Sequence, residues 1–277
     1  MNNAYFTLQH VDYCYPDGTK ALEDLSLTIP MNRKIGILGE NGSGKSTLFQ
    51  LLMGLIKPTS GTISFQGTPL QYKKTDLKNL RQQVGLLFQD ANNQLFAATV
   101  KQDVLFGPLN LGWDAPYIEE QVNKALALTE LTPLAHRPIH FLSGGQKKRV
   151  TIAGVYAMNP KVFILDEPTS SLDYYFSTQL MEYLAQLNED NRTFLYATHQ
   201  INFIYGWADY YIVLHKGKVL YEGDAQGLFT NRDLLAQTHI ETPWIVELTE
   251  ALKQSGKIPL GTPLPQTKEQ LFALMQL

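Results

Sequence analysis

Two short runs in this chain carry residues fit to handle a polyphosphate. The first is Gly39-Glu40-Asn41-Gly42-Ser43-Gly44-Lys45-Ser46, followed by Thr47, set between the apolar Ile35-Gly36-Ile37-Leu38 and an amphipathic stretch. Glycines at this spacing let the backbone curl so that successive N–H groups point inward at an anion. A helix starting at the same place adds the positive end of its dipole. Lys45 places a point charge on the β- and γ-phosphates, and Ser46 offers its hydroxyl to Mg²⁺. The second run is Val162-Phe163-Ile164-Leu165-Asp166-Glu167. A buried strand delivers Asp166 to a sheet edge, where it can hold the magnesium shell. Glu167, one residue on, reaches a water lined up with the γ-phosphate and can orient or deprotonate it. Before Pro168 the two acids could simply cap a helix, but beside a phosphate cradle they read as a metal ligand and a base.

Both runs need a sheet behind them. Ile35 to Leu38, Val84 to Gln89, Val162 to Leu165 and Thr193 to Thr198 are short continuous apolar runs, the pattern of strands buried on both faces. A helix over about Lys45 to Met53, closed by Gly54, follows the first of them. Phe6, Leu8 and Val11, then Leu25, Leu27 and Ile29, predict two antiparallel strands joined by a turn at Pro16-Asp17-Gly18. Tyr210 to Glu222 predicts a hairpin turning at Lys216-Gly217. Between Gln89 and Val162 the period turns helical, with Ile118, Val122, Ala125 and Leu126 on one face, so a helical subdomain is inserted at about 90–160. From about Leu228 the character changes. Trp244, Leu248 and Leu252 fit one helix face, and Thr267 with Gln270 forms a capping box for a last helix carrying Leu271, Leu274 and Met275. This tail either packs on its own domain or contributes to a contact with a second subunit.

Composition bounds the function. At 277 residues, 44% hydrophobic and 18% charged, the chain is ordinary for a globular protein. A net charge of -3 and a pI near 6.1 argue against non-specific binding to nucleic acid or anionic membranes. Cys14 stands alone and cannot form an internal disulfide, which fits a reducing cytoplasm. No stretch approaches the roughly 18 apolar residues of a membrane span, and Met1 to Tyr5 lacks the order of a secretory signal. Any membrane role is therefore expected through a partner.

A phosphate loop with an apolar-run aspartate is common to kinases, GTPases and motors. What separates this chain is Leu142-Ser143-Gly144-Gly145-Gln146, a serine and two glycines at a helix start that expose backbone donors. The run resembles the ABC signature motif in full. The resemblance implies that Ser143, Gly144, Gly145 and Gln146 close over the γ-phosphate bound to a facing ATPase subunit, either an identical chain or a close paralogue. It implies further that Gln89 is the Q-loop glutamine, touching Mg²⁺ and sensing a membrane partner. Ser171-Leu172-Asp173 resembles the D-loop along the dimer seam, and His199 the switch histidine that contacts the γ-phosphate. Tyr15 stands where family members stack a ring on adenine, although its alternation with Tyr13 also suits plain packing. The resemblance covers roughly residues 4–225. It implies an α/β P-loop ABC ATPase core with an antiparallel β subdomain, the inserted helices and a small C-terminal helical extension: an ATPase domain at 1–227 and the extension at 228–277. Catalysis then falls to Glu167, His199, Gln89 and Lys45. ATP is held by Tyr15, Gly39, Asn41, Gly42, Ser43, Gly44, Lys45, Ser46 and Thr47, with the signature residues and Asp173 of the facing copy. Mg²⁺ falls to Ser46, Gln89 and Asp166.

Phe88 to Phe96 followed by Asp103 to Gly112 is similar to the ATPases of energy-coupling factor importers, which take up vitamins or transition-metal ions. In that group a glutamine-bearing segment, here near Gln94, and neighbouring helices form a groove for a helix of the membrane scaffold subunit. Tyr15 to Leu22 and Tyr72 to Arg81 look most like the cobalt and nickel branch. The resemblance therefore implies a scaffold subunit, a substrate-binding membrane component and a place on the cytoplasmic face of the membrane. Tyr174 departs from the usual proline after the D-loop. Asp90-Ala91 replaces a pair containing proline, so a less stiff loop is expected there, and Ser170-Ser171 brings extra hydroxyls to the seam. His136 and His140 flank Pro138, which argues against a helical metal site, and they read as loop residues. Lys147-Lys148-Arg149 reads as a solvated helix face. A soluble ABC ATPase acting on ribosomes or DNA fits less well, because the chain has one phosphate loop and no sustained heptads. A kinase or GTPase acting alone leaves the signature run unexplained.

Overall fold

The computed structural model describes residues 4–170, 172–187 and 191–275. The first two strands, β1 (Ala4–Cys14) and β2 (Lys20–Pro30), pair antiparallel across the Pro16–Gly18 turn. On β2 the residues Leu22, Leu25, Leu27 and Ile29 point inward while Asp24, Ser26 and Thr28 face out. That alternation fixes the register, because a slip of one residue would turn every apolar side chain to water. Next come β3 (Lys34–Leu38) and the helix α1 (Lys45–Leu52). β4 (Ser60–Phe65) and the two-residue β5 (Thr68–Pro69) complete a four-stranded sheet in the order β2-β1-β4-β5.

The second sheet holds the chemistry. After α2 (Lys74–Gln83) come β6 (Val84–Leu87) and the helices α3 (Val100–Leu111), α4 (Ala115–Leu128) and α5 (Gly144–Ala157). They lead to β7 (Val162–Asp166), α6 (Tyr174–Leu187), β8 (Thr193–Ala197), α7 (Ile201–Ile204), β9 (Tyr210–His215) and β10 (Lys218–Gly223). The strand order is β10-β9-β3-β8-β7-β6, parallel except for β10. Every residue of β6, β7 and β8 is buried, as the unbroken apolar runs require of a sheet covered on both faces. Because β3, β8 and β7 are neighbours, the loops after their carboxyl ends open on one edge, where parallel sheets place ligands. β6 stops at Leu87, two residues short of the predicted Gln89, because side chains rather than a neighbouring strand take the next backbone groups.

The three helices α3 to α5 enclose an apolar cluster of their own that includes Val104, Val122, Leu126 and Val150. On α4 the predicted stripe Ile118, Val122, Ala125 and Leu126 is buried throughout. The loop leading to them is pinned rather than loose. Asp90 caps a short turn by accepting from the Asn92 amide at 2.9 Å, and Asp103 accepts from the amides of Phe96 and Ala97 at 3.0 Å each. These side-chain bonds to the backbone stand where the pair lacks the usual proline.

Past β10 the chain forms α8 (Ala225–Phe229), α9 (Arg232–Thr238), α10 (Trp244–Gln254) and α11 (Lys268–Leu274). Here the apolar stripe differs from the one read in the sequence. α10 buries Ile245, Val246, Thr249 and Leu252, whereas Trp244 and Leu248 are 44% and 38% exposed. The helix is turned so that Ile245 and Val246 join the core around Leu228 and Leu235. The cap of α11 is also only half as expected. Thr267 Oγ1 accepts from the Gln270 amide at 3.2 Å, but Gln270 Oε1 takes the amide of Gln266, not that of Thr267. No helix of the described residues is long and apolar enough to cross a membrane.

Candidate active site

The loop between β3 and α1 can only be built from glycine at two points. Gly39 has φ 146°, and a Cβ there would lie 2.2 Å from the Leu214 carbonyl oxygen; at Gly44, with φ 107°, it would lie 2.6 Å from Leu22 Cδ2. Both conformations exclude other residues on steric grounds. The hairpin turn at Lys216-Gly217 braces this loop from outside, with the Gly217 amide donating to the Ser43 carbonyl at 3.0 Å. Lys45 folds back over the loop and donates from Nζ to the carbonyls of Gly39 and Glu40 at 2.7 and 2.9 Å. Burial lowers its pKa, while Glu167 and Asp166 pull in the opposite direction. Tyr15 stands at the mouth with its hydroxyl 2.9 Å from Thr47 Oγ1 and its ring edge-on to Tyr13.

The two acids arrive from β7. Ser46 Oγ donates to Asp166 Oδ2 at 2.8 Å, joining residues 120 positions apart. Burial raises the pKa of Asp166, and the Ser46 bond opposes that rise. Glu167 takes a left-handed backbone, φ 47°, uncommon for a residue with a side chain. The strain is held by its amide bonding to Ala197 at the end of β8 and by Ser170 Oγ donating to its carbonyl at 2.7 Å. The effect is to turn the Glu167 side chain toward His199, whose Nδ1 donates to Glu167 Oε1 at 2.9 Å. Glu167 Oε2 and Ser43 Oγ are buried without a hydrogen-bond partner among the described residues.

These groups share one open cleft of about 640 Å³, lined by Tyr15, Gly39 to Gly42, Gly44 to Thr47, Gln89, Asp166, Glu167 and His199. Lys20 and Thr19 also line it; the sequence offered no spacing that would flag them. The glycine-only curl, the buried and unpartnered oxygens, and a serine hydroxyl against a carboxylate fit a nucleoside triphosphate with its Mg²⁺.

The signature residues lie elsewhere. Ser143 is the N-cap of α5, and its side chain and that of Gln146 exchange bonds with each other's amides at 3.3 and 3.0 Å. Ser143 and Gly144 are exposed, and the amides of Gly144 and Gly145 make no hydrogen bond among the described residues. Asp173 is likewise outside the cleft and caps α6 through the Phe176 amide. Ser171, expected in the same loop, lies outside the described residues.

The basic run after the signature is not a solvated face. Lys148 is 1% exposed and donates from Nζ to the carbonyls of Phe88 and Gln89 at 2.9 Å each. Lys147 reaches Asn92, and Arg149 bonds the Thr129 carbonyl while lying over the ring of Phe176. The missed signal was positional: Lys148 shares a helical stripe with Thr151 and Val155, both buried. Gln94, in the segment expected to form a groove with the neighbouring helices, holds the end of β6 with its amide, accepting from the Phe88 amide and donating to the Leu86 carbonyl.

A family model described as ABC transporter matches residues 22–170. Fold and site thus define an ATPase of the ABC type. Across 265 residues the chain is 43% identical to the cobalt import ATP-binding protein CbiO of Rhodobacter capsulatus, covering 95% of this chain and 94% of that protein. It is 40% identical over 269 residues to the energy-coupling factor transporter ATP-binding protein EcfA2 of Methanospirillum hungatei, covering 97% of this chain but 67% of that longer protein. Among solved structures, cbiO1 from Clostridium perfringens, part of the ABC transporter complex cbiONQ, is 38% identical with a TM-score of 0.75. That match covers 90% of this chain and 99% of the other. The chain belongs to the energy-coupling factor family of ABC transporter ATP-binding subunits.

Proposed function

We propose that this chain pairs with a second copy or a close paralogue to hydrolyse ATP, and so powers an importer of a transition-metal ion, cobalt or nickel. The observation that carries the pairing is the exposed Ser143-Gly144-Gly145 turn. It presents free amide donors at a helix start, and among the described residues nothing lies within 4 Å of where a Gly144 Cβ would stand. Such a turn is half of an anion site, and a facing subunit's nucleotide supplies the other half. Cobalt as cargo rests on the CbiO relative; the EcfA2 relative's name carries no cargo, which leaves vitamin import as the competing reading.

Within one cleft the roles divide by chemistry. Lys45 and the loop amides hold the β- and γ-phosphates. Ser46, Asp166 and Gln89 would hold Mg²⁺, which neutralises charge developing on the phosphates. Glu167 is the base: as the water oxygen bonds to the γ-phosphorus and the bridging oxygen leaves on ADP, the water's proton passes to the Glu167 carboxylate. His199 keeps Oε1 occupied and fixes the carboxylate's direction. Asp173 and the signature residues serve the facing copy's nucleotide, and the ring of Tyr15 is available to adenine.

The membrane partner would seat on an apolar patch of the helical layer. Phe96 and Phe106 stand edge to face at 4.4 Å and are 62% and 49% exposed, with Leu109 beside them at 55%. A patch of this kind is costly in water and suits a docking helix. With residues 1–227 as the engine and 228–277 as an appendage, the chain would sit on the cytoplasmic face of the membrane. Purification of the native complex, followed by uptake of cobalt, nickel and vitamins, tests this reading. Copurification of a membrane scaffold with ATP-dependent cobalt or nickel uptake supports it. Vitamin uptake alone overturns the cargo, and the absence of any membrane subunit overturns transport.

A further inference from the structure

Lysine is among the residues least often buried, because its ammonium loses hydration that only good acceptors replace. Lys148 is nonetheless 1% exposed, and its two short bonds go to the backbone of Phe88 and Gln89, neither of them an acid. Those carbonyls are the first two past the end of β6, where no strand can take them. Ser170 Oγ lies 3.4 Å from the same Gln89 carbonyl, but its proton goes to the Glu167 carbonyl at 2.7 Å, which leaves Lys148 as the close donor. Lys148, on α5, lies five residues beyond the N-cap Ser143, about 7.5 Å along the helix axis. One side chain thus ties the segment that aims Gln89 into this chain's own cleft to the helix whose tip faces away from it.

We propose that Lys148 is a positioning residue that couples the two nucleotide sites each chain serves. It locks the Gln89 backbone to the signature helix, so that α5 cannot swing onto a facing nucleotide without shifting Gln89 in its own cleft. The proposal rests on the two-chain reading given above. Lys148 touches no nucleotide; it acts through Gln89 and Ser143. An apolar side chain of the same length would fill the space but orphan both carbonyls.

The test compares Lys148→Met, Lys148→Gln and Lys148→Arg in the chain purified with its membrane complex. ATP turnover is measured against ATP concentration. The Met variant should lower kcat about tenfold while KM stays within about twofold, because the phosphate loop is untouched. Arg, which keeps donors for both carbonyls, should restore most of the rate, and Gln, with one amide group, should fall between. A purely structural role would lower the amount of folded protein and not split kcat from KM. Should the Met variant fail to fold, the order native, Arg, Gln carries the same test. A native kcat in the Met or Gln variant, or a loss that Arg does not relieve, overturns the proposal. Ser143→Arg is measured alongside: if it leaves turnover intact, the two-chain reading fails, whereas if it stops turnover and Lys148→Met does not, only the coupling fails.

Discussion

The phosphate loop and the signature turn are both glycine-bearing starts of helices, yet the molecule treats them in opposite ways. Around Gly39 to Ser46 the chain closes in from four directions: the Leu214 carbonyl, the Gly217 amide, the Asp166 carboxylate and the Leu22 side chain all make contact or near-contact. Around Ser143 to Gly145 the described contacts are fewer: the cap that Ser143 and Gln146 make with each other, the Lys147 amide on the Ser143 carbonyl, and Leu172 beside Gly145. The enclosed loop grips the phosphates with its own chain's groups. On the proposed reading, the exposed turn is the part offered to a facing subunit's nucleotide. The difference teaches that an anion-binding motif does not by itself tell whose anion it binds; its surroundings do.

The sharpest test of the enclosed side is Glu167→Gln, which should cut ATP turnover by about 10²- to 10⁴-fold, the range for losing a general base. Phosphate release measures the loss, and nucleotide binding should persist. Paired Gly→Ala changes test the contrast directly. At Gly39 the new methyl meets the Leu214 carbonyl at 2.2 Å in a φ of 146°, and the loss should reach about 3 kcal/mol of stability by denaturant unfolding. At Gly144, where nothing lies within 4 Å, stability should change by less than about 1 kcal/mol. Equal losses at the two positions would break the comparison. Dilution comes next: turnover per chain should fall with protein concentration as dimers dissociate, while ATP binding to the single chain should not. The smallest effect is expected for Tyr15→Phe, which removes the hydroxyl contact to Thr47 and should raise KM about two- to fivefold, near 1 kcal/mol.

Legibility followed the range of the interactions involved. The loop at Gly39 to Ser46 and the strand ending at Asp166 were readable because each is a local pattern with its own strand or helix beside it. The stripe on α4 was readable for the same reason. The face of α10 was not, since Trp244/Leu248 and Ile245/Val246 are equally good apolar choices at helical spacing, and only the core around Leu228 and Leu235 selects between them. Lys148 was misread because a charge signals solvent unless acceptors await it, and its acceptors lie 59 and 60 residues away in the chain. The Gln94 bonds to Phe88 and Leu86 were likewise not readable, because the expected strand ran on to Gln89 whereas β6 ends at Leu87.

The amino-acid order by itself determined the chemistry: glycines that permit the curl, a lysine and serine for phosphate and metal, and two acids at the end of a buried strand. These depend on residue type and on neighbours a few positions away. Tertiary structure decided the pairings in and beside the cleft, namely Ser46 with Asp166, His199 with Glu167, and Lys148 with the Gln89 backbone. It also left the signature turn exposed. The reason is that strand order in a parallel sheet, not distance along the chain, sets which loop ends meet.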